Sequence, residues 1–436
     1  MRRVYIETYG CQMNVADSEL VASILRRAGH PIVTTPEAAE VILLNTCAVR
    51  EHAEERVIGR ASQLSGLRAH TPNLTLGILG CMAQHLAESL PQRAPFVDLV
   101  MGPDSYRRLP QILAETSEET LLDVRLDREE DYLGIDPVRR QGVNAWVTIM
   151  RGCDKFCTFC IVPFVRGRER SVPADEILRQ VRLLAAEGYQ EVTLLGQTVN
   201  SYRHGEFEFG RLLRAVGQIE GLKRLRFTSP HPADFTPEVI AALAEVPVVC
   251  PGLHLPLQSG SDRQLELMRR GYTVAQYRAL AAQLREAVPG LTLTTDLIAG
   301  FCGETEEEFQ QTLDLVAELR FDAAFTFKYS PREGTHAHKK LADDLPEAVK
   351  TERLERLIAL QERISWEINQ GLIGTTVEVL VEGPSKRQNG NTPSFYGRTP
   401  QGKTVVFAQE APTNTLVPVH LHRATSHTLF GELARV

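Results

Sequence analysis

Short apolar runs recur through the first hundred residues, with helical periodicity between them. Residues 3–9, 41–46 and 74–79 have the length of buried strands; one helical pattern opens at Ser18-Glu19-Leu20 and another runs from Arg50 to Leu64. Strands alternating with helices predict a parallel α/β sheet. The alternation returns further along, with predicted strands at 146–150, 191–195, 224–228, 253–257, 291–298 and 322–329. Helices are predicted at 174–187, 209–219, 236–245, 273–287 and 304–319. Six β/α units suffice for an incomplete (β/α)6 barrel. A charged helical stretch from Leu345 to Gln370 then gives way to a period of two at 376–381, 404–407, 416–421 and 428–433. The gaps are rich in Gly, Pro and Asn, as in Gln388-Asn389-Gly390-Asn391. That change of period predicts a small antiparallel β-barrel. The expected organisation is an α/β multidomain chain divided at 1–118, 139–368 and 371–436.

At 436 residues, 43% hydrophobic and 24% charged, the chain has the composition of an ordinary globular protein, long enough to bury large cores without disulfides. A net charge of −7 excludes a histone-like basic protein but leaves room for a local nucleic-acid patch. Residues 371–436 carry six Lys/Arg against four Asp/Glu, a mildly basic module on an acidic protein. Tyr396, between Phe395 and Arg398, offers a stacking surface there. No apolar h-region follows Met1-Arg2-Arg3, and no run reaches the length of a membrane span. A cytoplasmic protein is expected.

The eight cysteines are too sparse for a secreted disulfide scaffold, so metal binding is the better first reading. Cys11, Cys47 and Cys81, spaced 36 and 34 residues apart, each fall at or within two residues of a predicted strand end. Ligand sites in open α/β sheets gather beyond the carboxyl ends of strands, so the three thiols are expected to converge. Flanking Gly10 and Gly80 would let a bulky group approach the backbone. Three ligands suit an iron–sulfur cluster with one open iron, or an open zinc site; three buried structural thiols are the plain alternative. Cys153, Cys157 and Cys160 lie in one loop after a predicted strand. With no fourth ligand nearby, an iron–sulfur cluster suits this loop better than structural zinc.

Cys153-x3-Cys157-x2-Cys160, with Phe159 before the last cysteine, resembles the radical S-adenosylmethionine (SAM) signature. With the three upstream cysteines and the short C-terminal module, the whole chain resembles the methylthiotransferase family. Thr8 to Asn14, Leu195 to Tyr202, Phe227 to Pro232 and Leu255 to Ser261 resemble the branch acting on isopentenylated adenosine in tRNA. The resemblance implies a methylthiotransferase domain at 1–118, a radical SAM core at 139–368 and a TRAM RNA-binding domain at 371–436. It implies catalytic Cys153, Cys157 and Cys160 on one [4Fe–4S] cluster and Cys11, Cys47 and Cys81 on a second. SAM would bind beside Phe159, Gly196, Gln197, Asn200, Asp296 and Gly300. The implied reaction adds a methylthio group at carbon 2 of the adenosine next to the anticodon, using two SAM per product. The implied partners are tRNA and a reduced flavodoxin- or ferredoxin-type electron donor, with the enzyme a monomer. Cys302 stands where the family usually has Pro, and a small buried thiol is expected there; Cys250 has no assigned role.

The run Arg166-Gly167-Arg168-Glu169-Arg170 is a candidate for gripping RNA phosphates or substrate, or else a solvated loop with one internal ion pair. His231 and His254 are left unassigned. Relatives acting on threonylcarbamoyladenosine or on a ribosomal-protein aspartate are the competing enzymes, disfavoured by Phe227 to Pro232 and by the basic C-terminal module respectively. A non-catalytic iron–sulfur RNA-binding protein is the alternative from another class; the SAM-pocket stretches argue against it, since a binder has no use for them.

Overall fold

A computed structural model describes residues 1–48, 51–115, 119–139, 142–385 and 394–434. The loop Gln388–Asn391, Arg50, and the Lys386, Arg387 and Arg435 charges lie outside the described residues.

The first sheet is wholly parallel, with strands Val4–Tyr9, Val41–Thr46, Thr75–Gly80, Leu99–Met101 and Leu121–Asp123 side by side in chain order. The last two went unpredicted because each has three residues, too few to show a period. Val41–Thr46 is buried at every position, as a strand covered on both faces must be. Helix Gln12–Arg27 packs Leu20, Val21, Ile24 and Leu25 on one face; helix Glu51–Ser65 packs Val57, Ala61 and Leu64 on the other. The first helix begins six residues before the predicted Ser18. Its opening turns mix apolar Met13, Val15 and Ala16 with Asn14, Asp17 and Ser18, which are buried among polar partners, so the apolar periodicity is broken there.

The central unit has six parallel strands: Asn144–Thr148, Glu191–Leu195, Arg224–Phe227, Gly252–His254, Thr292–Ala299 and Ala323–Lys328. They hydrogen-bond as two groups of three. The Leu225 amide donating to Val248 O (2.7 Å) and the Cys250 amide donating to Leu225 O (2.9 Å) join the halves. Among the described residues no ladder closes the last strand onto the first, so the barrel is open. Along the open side, Met13 and Ala16 of the first helix pack on Trp146 and Leu195.

The 24-residue helix Glu347–Gln370 leads to a closed five-stranded barrel. Strand Phe395–Arg398 was not anticipated. Thr404–Phe407 pairs parallel, not antiparallel, with Thr428–Leu433, because closing five strands forces one parallel seam. This small barrel docks under the amino ends of the central strands. Arg224 Nη1 donates to Arg398 O (2.7 Å), Arg226 Nη1 to Pro400 O (2.8 Å), and Lys403 Nζ pairs with Asp322 (2.8 Å). Among the described residues no helix is long and apolar enough to cross a membrane.

Candidate active site

The cysteine loop leaves the carboxyl end of the first barrel strand, opposite the small barrel. Its path is set locally. Gly152 has φ +78°, and a Cβ there would lie 2.0 Å from Arg168 O; Phe156 has φ +49°. Thr158 N donates to Met268 O (3.0 Å) and Cys160 N to Cys157 O (3.0 Å). Cys153 and Cys157 are buried and Cys160 is half-buried. Their sulfurs sit among hydrogen-bond donors. Thr198 Oγ1 lies 3.3 Å and Lys155 N 3.5 Å from Cys153 Sγ, and Arg270 Nη1 donates to Cys157 Sγ at 3.2 Å. Burial pushes the Cys153 thiol up, while Thr198 and the Lys155 amide pull against it.

Among the described residues no three His, Cys, Asp or Glu side chains are set to hold one metal ion. A cubane makes a different demand, because each cysteine binds its own iron. The donor chemistry fits such a group: N–H and O–H donors on sulfur stabilise thiolate ligands and tune a cluster.

The other three cysteines meet at one sheet edge. Tyr9, Thr46 and Gly80 are in register on adjacent strands, so Cys11, Cys47 and Cys81 follow each other at strand spacing, roughly 5 Å apart per strand. Beneath them Asn14 and Asn45 exchange amides: Asn14 Nδ2 donates to Asn45 Oδ1 (3.2 Å) and Asn45 Nδ2 to Asn14 O (2.9 Å). The glycines serve this packing. A Cβ on Gly10 would sit 2.3 Å from Asn14 Oδ1, and one on Gly80 (φ +93°) 2.4 Å from Asn45 Oδ1. The Asn14 and Cys47 side chains come close to Gly10, and the Asn45 side chain and Thr46 backbone to Gly80. Cys11 is exposed, Cys47 half-buried and Cys81 buried. The Cys47 hydrogen bond, helped by the Arg166 guanidinium, draws the Cys11 thiol down to about 6; burial pushes Cys81 up against the pull of Arg166.

The two triads face each other across a shared apolar cluster of Ala48, Cys81, Ile161 and Val165. The last two belong to the segment directly after Cys160. In the basic run, Arg166 and Arg170 are engaged by acidic partners of the first domain. Arg166 is buried, pairing with Asp17 (2.8 Å) and donating to Cys81 Sγ (3.2 Å). Arg170 pairs with Asp104 (2.9 Å) and Arg168 with Asp154 (2.6 Å). Asp17 and Asp104 of the first domain clamp Arg166 and Arg170 at the interface, while Arg168 stays exposed with Asp154 of the cysteine loop.

A cavity of about 830 Å³ opens beside Cys160, lined among others by Phe159, Gln258, Asp296, Tyr329, Lys350 and, from the first sheet domain, Arg56. Phe159 stands edge-on to Phe301 at 6.3 Å between centroids. Asp296 pairs with His254 (3.2 Å). Gly300 (φ +73°) leaves room for Lys350, whose Cγ would lie 2.5 Å from a Cβ there. Gly196 lets its loop cross Met150, 2.4 Å from a notional Cβ. Beside Thr198, Gln197 Oε1 is buried without a hydrogen-bond partner among the described residues. Asn200 spends its amide on His231, donating to its carbonyl (2.8 Å) and accepting from its N–H (2.7 Å). It is placed to hold the loop's shape.

Arg270, Lys350 and Asp17 escaped the sequence reading, since no short spacing marks them; Thr198 lies inside the Leu195 to Tyr202 stretch. His231 is buried; that burial, with Arg270 and Lys155 nearby, drives its pKa down to about 2, so it is neutral. Cys302 is packed with Met268, Phe301 and Tyr329, and Cys250 is buried. At the small barrel, Phe395 stacks on Phe407 and Arg398 pairs with Glu382 (2.9 Å), leaving Tyr396 half-buried between them.

An open parallel barrel with a three-cysteine loop at its carboxyl end, flanked by a three-thiol sheet and a small β-barrel, defines a radical SAM enzyme with two accessory domains. The chain matches the radical SAM superfamily over residues 147–316, the uncharacterized protein family UPF0004 over 3–102 and the TRAM domain over 370–434. Among solved structures, the radical SAM methyltransferase TsrM from Kitasatospora setae superposes with TM-score 0.58, 14% identity, and coverage of 75% of this chain and 73% of that one. The likeness is one of fold. A tRNA-2-methylthio-N(6)-dimethylallyladenosine synthase of Porphyromonas gingivalis is 47% identical over 99% of this chain and 95% of its own length. One from Moorella thermoacetica is 47% identical over 98% and 97%. The chain belongs to the tRNA-2-methylthio-N(6)-dimethylallyladenosine synthase family.

Proposed function

We propose that this enzyme adds a methylthio group to carbon 2 of an isopentenylated adenosine beside the tRNA anticodon, using two SAM per product. The observation that carries this reading is the meeting of two thiol triads across one buried interface, beside a cavity large enough for a ligand. Residues 139–368 form the radical SAM core, where Cys153, Cys157 and Cys160 would hold a [4Fe–4S] cluster. Residues 1–118 present Cys11, Cys47 and Cys81 to a second cluster, and residues 371–436 engage RNA. When bound, these groups supply the one-electron cleavage and the sulfur that side-chain acids and bases cannot provide for an aromatic C–H bond. Thr198, Lys155 and Arg270 hold the cysteine sulfurs by hydrogen bonds. Phe159, Gly196, Gln197, Asp296 and Gly300 shape the SAM side, with Asn200 supporting the loop through His231.

The TRAM barrel sits at the amino ends of the barrel strands, so an RNA touching both it and the cavity must extend past the whole core. The electron donor is of flavodoxin or ferredoxin type, and the enzyme acts as a cytoplasmic monomer.

The test is anaerobic reconstitution of wild type beside a Cys153/Cys157/Cys160→Ala variant, with iron and product assays on isopentenylated tRNA. About eight irons falling to about four, with SAM cleavage and product both lost in the variant, is expected. About four falling to none would overturn the two-cluster reading and leave a single-cluster radical SAM enzyme.

A further inference from the structure

Arg166 ends the short helix Val162–Arg166, which starts two residues after Cys160, yet its head lies in the other domain's site. It is 3% exposed. Nε donates to Cys81 Sγ at 3.2 Å and Nη2 to Asp17 Oδ2 at 2.8 Å. Asp17 Oδ1 also faces Arg151 Nη2 at 3.0 Å, so one buried carboxylate serves two buried guanidiniums. The neighbouring Arg170–Asp104 pair balances itself, so among the described carboxylates and guanidiniums here one positive charge is left for the cysteine sulfurs to meet. Arg166 Nη1 and Arg151 Nη1 are buried without a hydrogen-bond partner among the described residues. A buried, uncompensated charge is costly enough that an anion is needed to complete such a site.

We infer that Arg166 is a positioning residue that acts through Cys81, holding this ligand and supplying the buried positive charge that sets the reduction potential of the second cluster. The inference rests on the proposed reading that Cys11, Cys47 and Cys81 hold that cluster. An ion pair to Asp17 alone would suffice to fasten two domains together. The Nε–H donated to a ligand sulfur and the charge left over go beyond fastening. Both favour the more negative, reduced state of a cluster and so raise its potential. Because Arg166 follows the SAM-cluster loop in sequence, the second cluster reaches its working potential only when the two domains are docked.

The experiment uses the full chain in the Cys153/Cys157/Cys160→Ala background, so that only the upstream cluster is present. Its midpoint potential is followed by electron paramagnetic resonance during a redox titration. Arg166→Gln is expected to keep its iron and to show a lower potential than the parent. Arg166→Lys, which keeps the charge and loses the fork, should fall between them. Asp17→Asn, which leaves the Nε–Cys81 contact, should not lower the potential. A parent potential in Arg166→Gln at full iron content overturns the inference alone. Should Arg166→Gln not load iron, a parent potential in Arg166→Lys overturns the part played by the Nε–Cys81 contact. A parent background without iron overturns the two-cluster reading itself, and this role with it.

Discussion

The two thiol triads reach similar ends by opposite routes. Cys153, Cys157 and Cys160 occupy eight consecutive residues of one loop, whose path is dictated by Gly152 and Phe156 at positive φ. Cys11, Cys47 and Cys81 come from three strands brought side by side by sheet register. The sulfur donors differ in the same way. Cys153 and Cys157 receive theirs from the barrel that carries them, while Cys81 receives its donor from another domain. A site folded from one loop depends on local conformation. A site assembled from strand ends depends on the whole sheet and on its docking. The loop triad should therefore withstand injury to the first domain, and the sheet triad should not withstand injury to either.

The widest separation is expected from Cys11/Cys47/Cys81→Ala. Methylthiolated tRNA should fall below detection while 5′-deoxyadenosine formation from SAM stays within about threefold of wild type, a split that assigns the upstream thiols to sulfur delivery. Loss of SAM cleavage as well would mean the triads are not separable.

A smaller effect comes from Gly80→Ala, where the new Cβ meets Asn45 Oδ1 at 2.4 Å and Thr46 O at 2.7 Å with φ at +93°. Strain of this kind costs about 1–3 kcal/mol. Thermal melts should record it, and iron should be lost from the upstream site first. Gly152→Ala, its counterpart in the loop, should impair SAM cleavage instead. If both variants lose the same activity, the contrast between a local and an assembled site is gone.

The smallest effect is pH-dependent docking through His85, on the helix that Cys81 opens. Its ring pairs with Glu54 (3.4 Å) and contacts Glu333 O (3.0 Å) of the central domain. The Glu54 hydrogen bond, outweighing burial, raises its pKa above the usual 6.5. A raised histidine binds its proton more tightly when folded. Its contribution is therefore complete below the unfolded value and lost as pH climbs through the folded one. The melting temperature of wild type should decline across that rise, relative to a His85→Gln variant. Parallel curves would remove His85 from the docking.

The regular elements of the barrel were legible because amphipathic helices and buried strands alternate at lengths that show a period. Glu191–Leu195 and Thr404–Phe407 fall where the apolar pattern puts them. Strands of three residues, and a helix whose first turns bury polar side chains among apolar ones, carry no such pattern. The site divides along the same line. The cysteines announce themselves by type and spacing. Arg270 and Lys350 reach the site only through folding, and Arg166 looked like a member of a surface basic run until Asp17 and Cys81 arrived from far along the chain.

By itself, the sequence determined which residue types are present and where most of the longer strands lie, because side-chain chemistry and apolar periodicity are local properties. It thereby marked six thiols, a barrel and a small β module. Only the tertiary structure decided that the two triads share an interface, that Arg166 is buried against Asp17 and Cys81, and that the TRAM barrel sits at the far end of the core. Those facts depend on which distant groups meet once water is excluded, where an ion pair or a shared sulfur contact gains strength that no stretch of sequence displays.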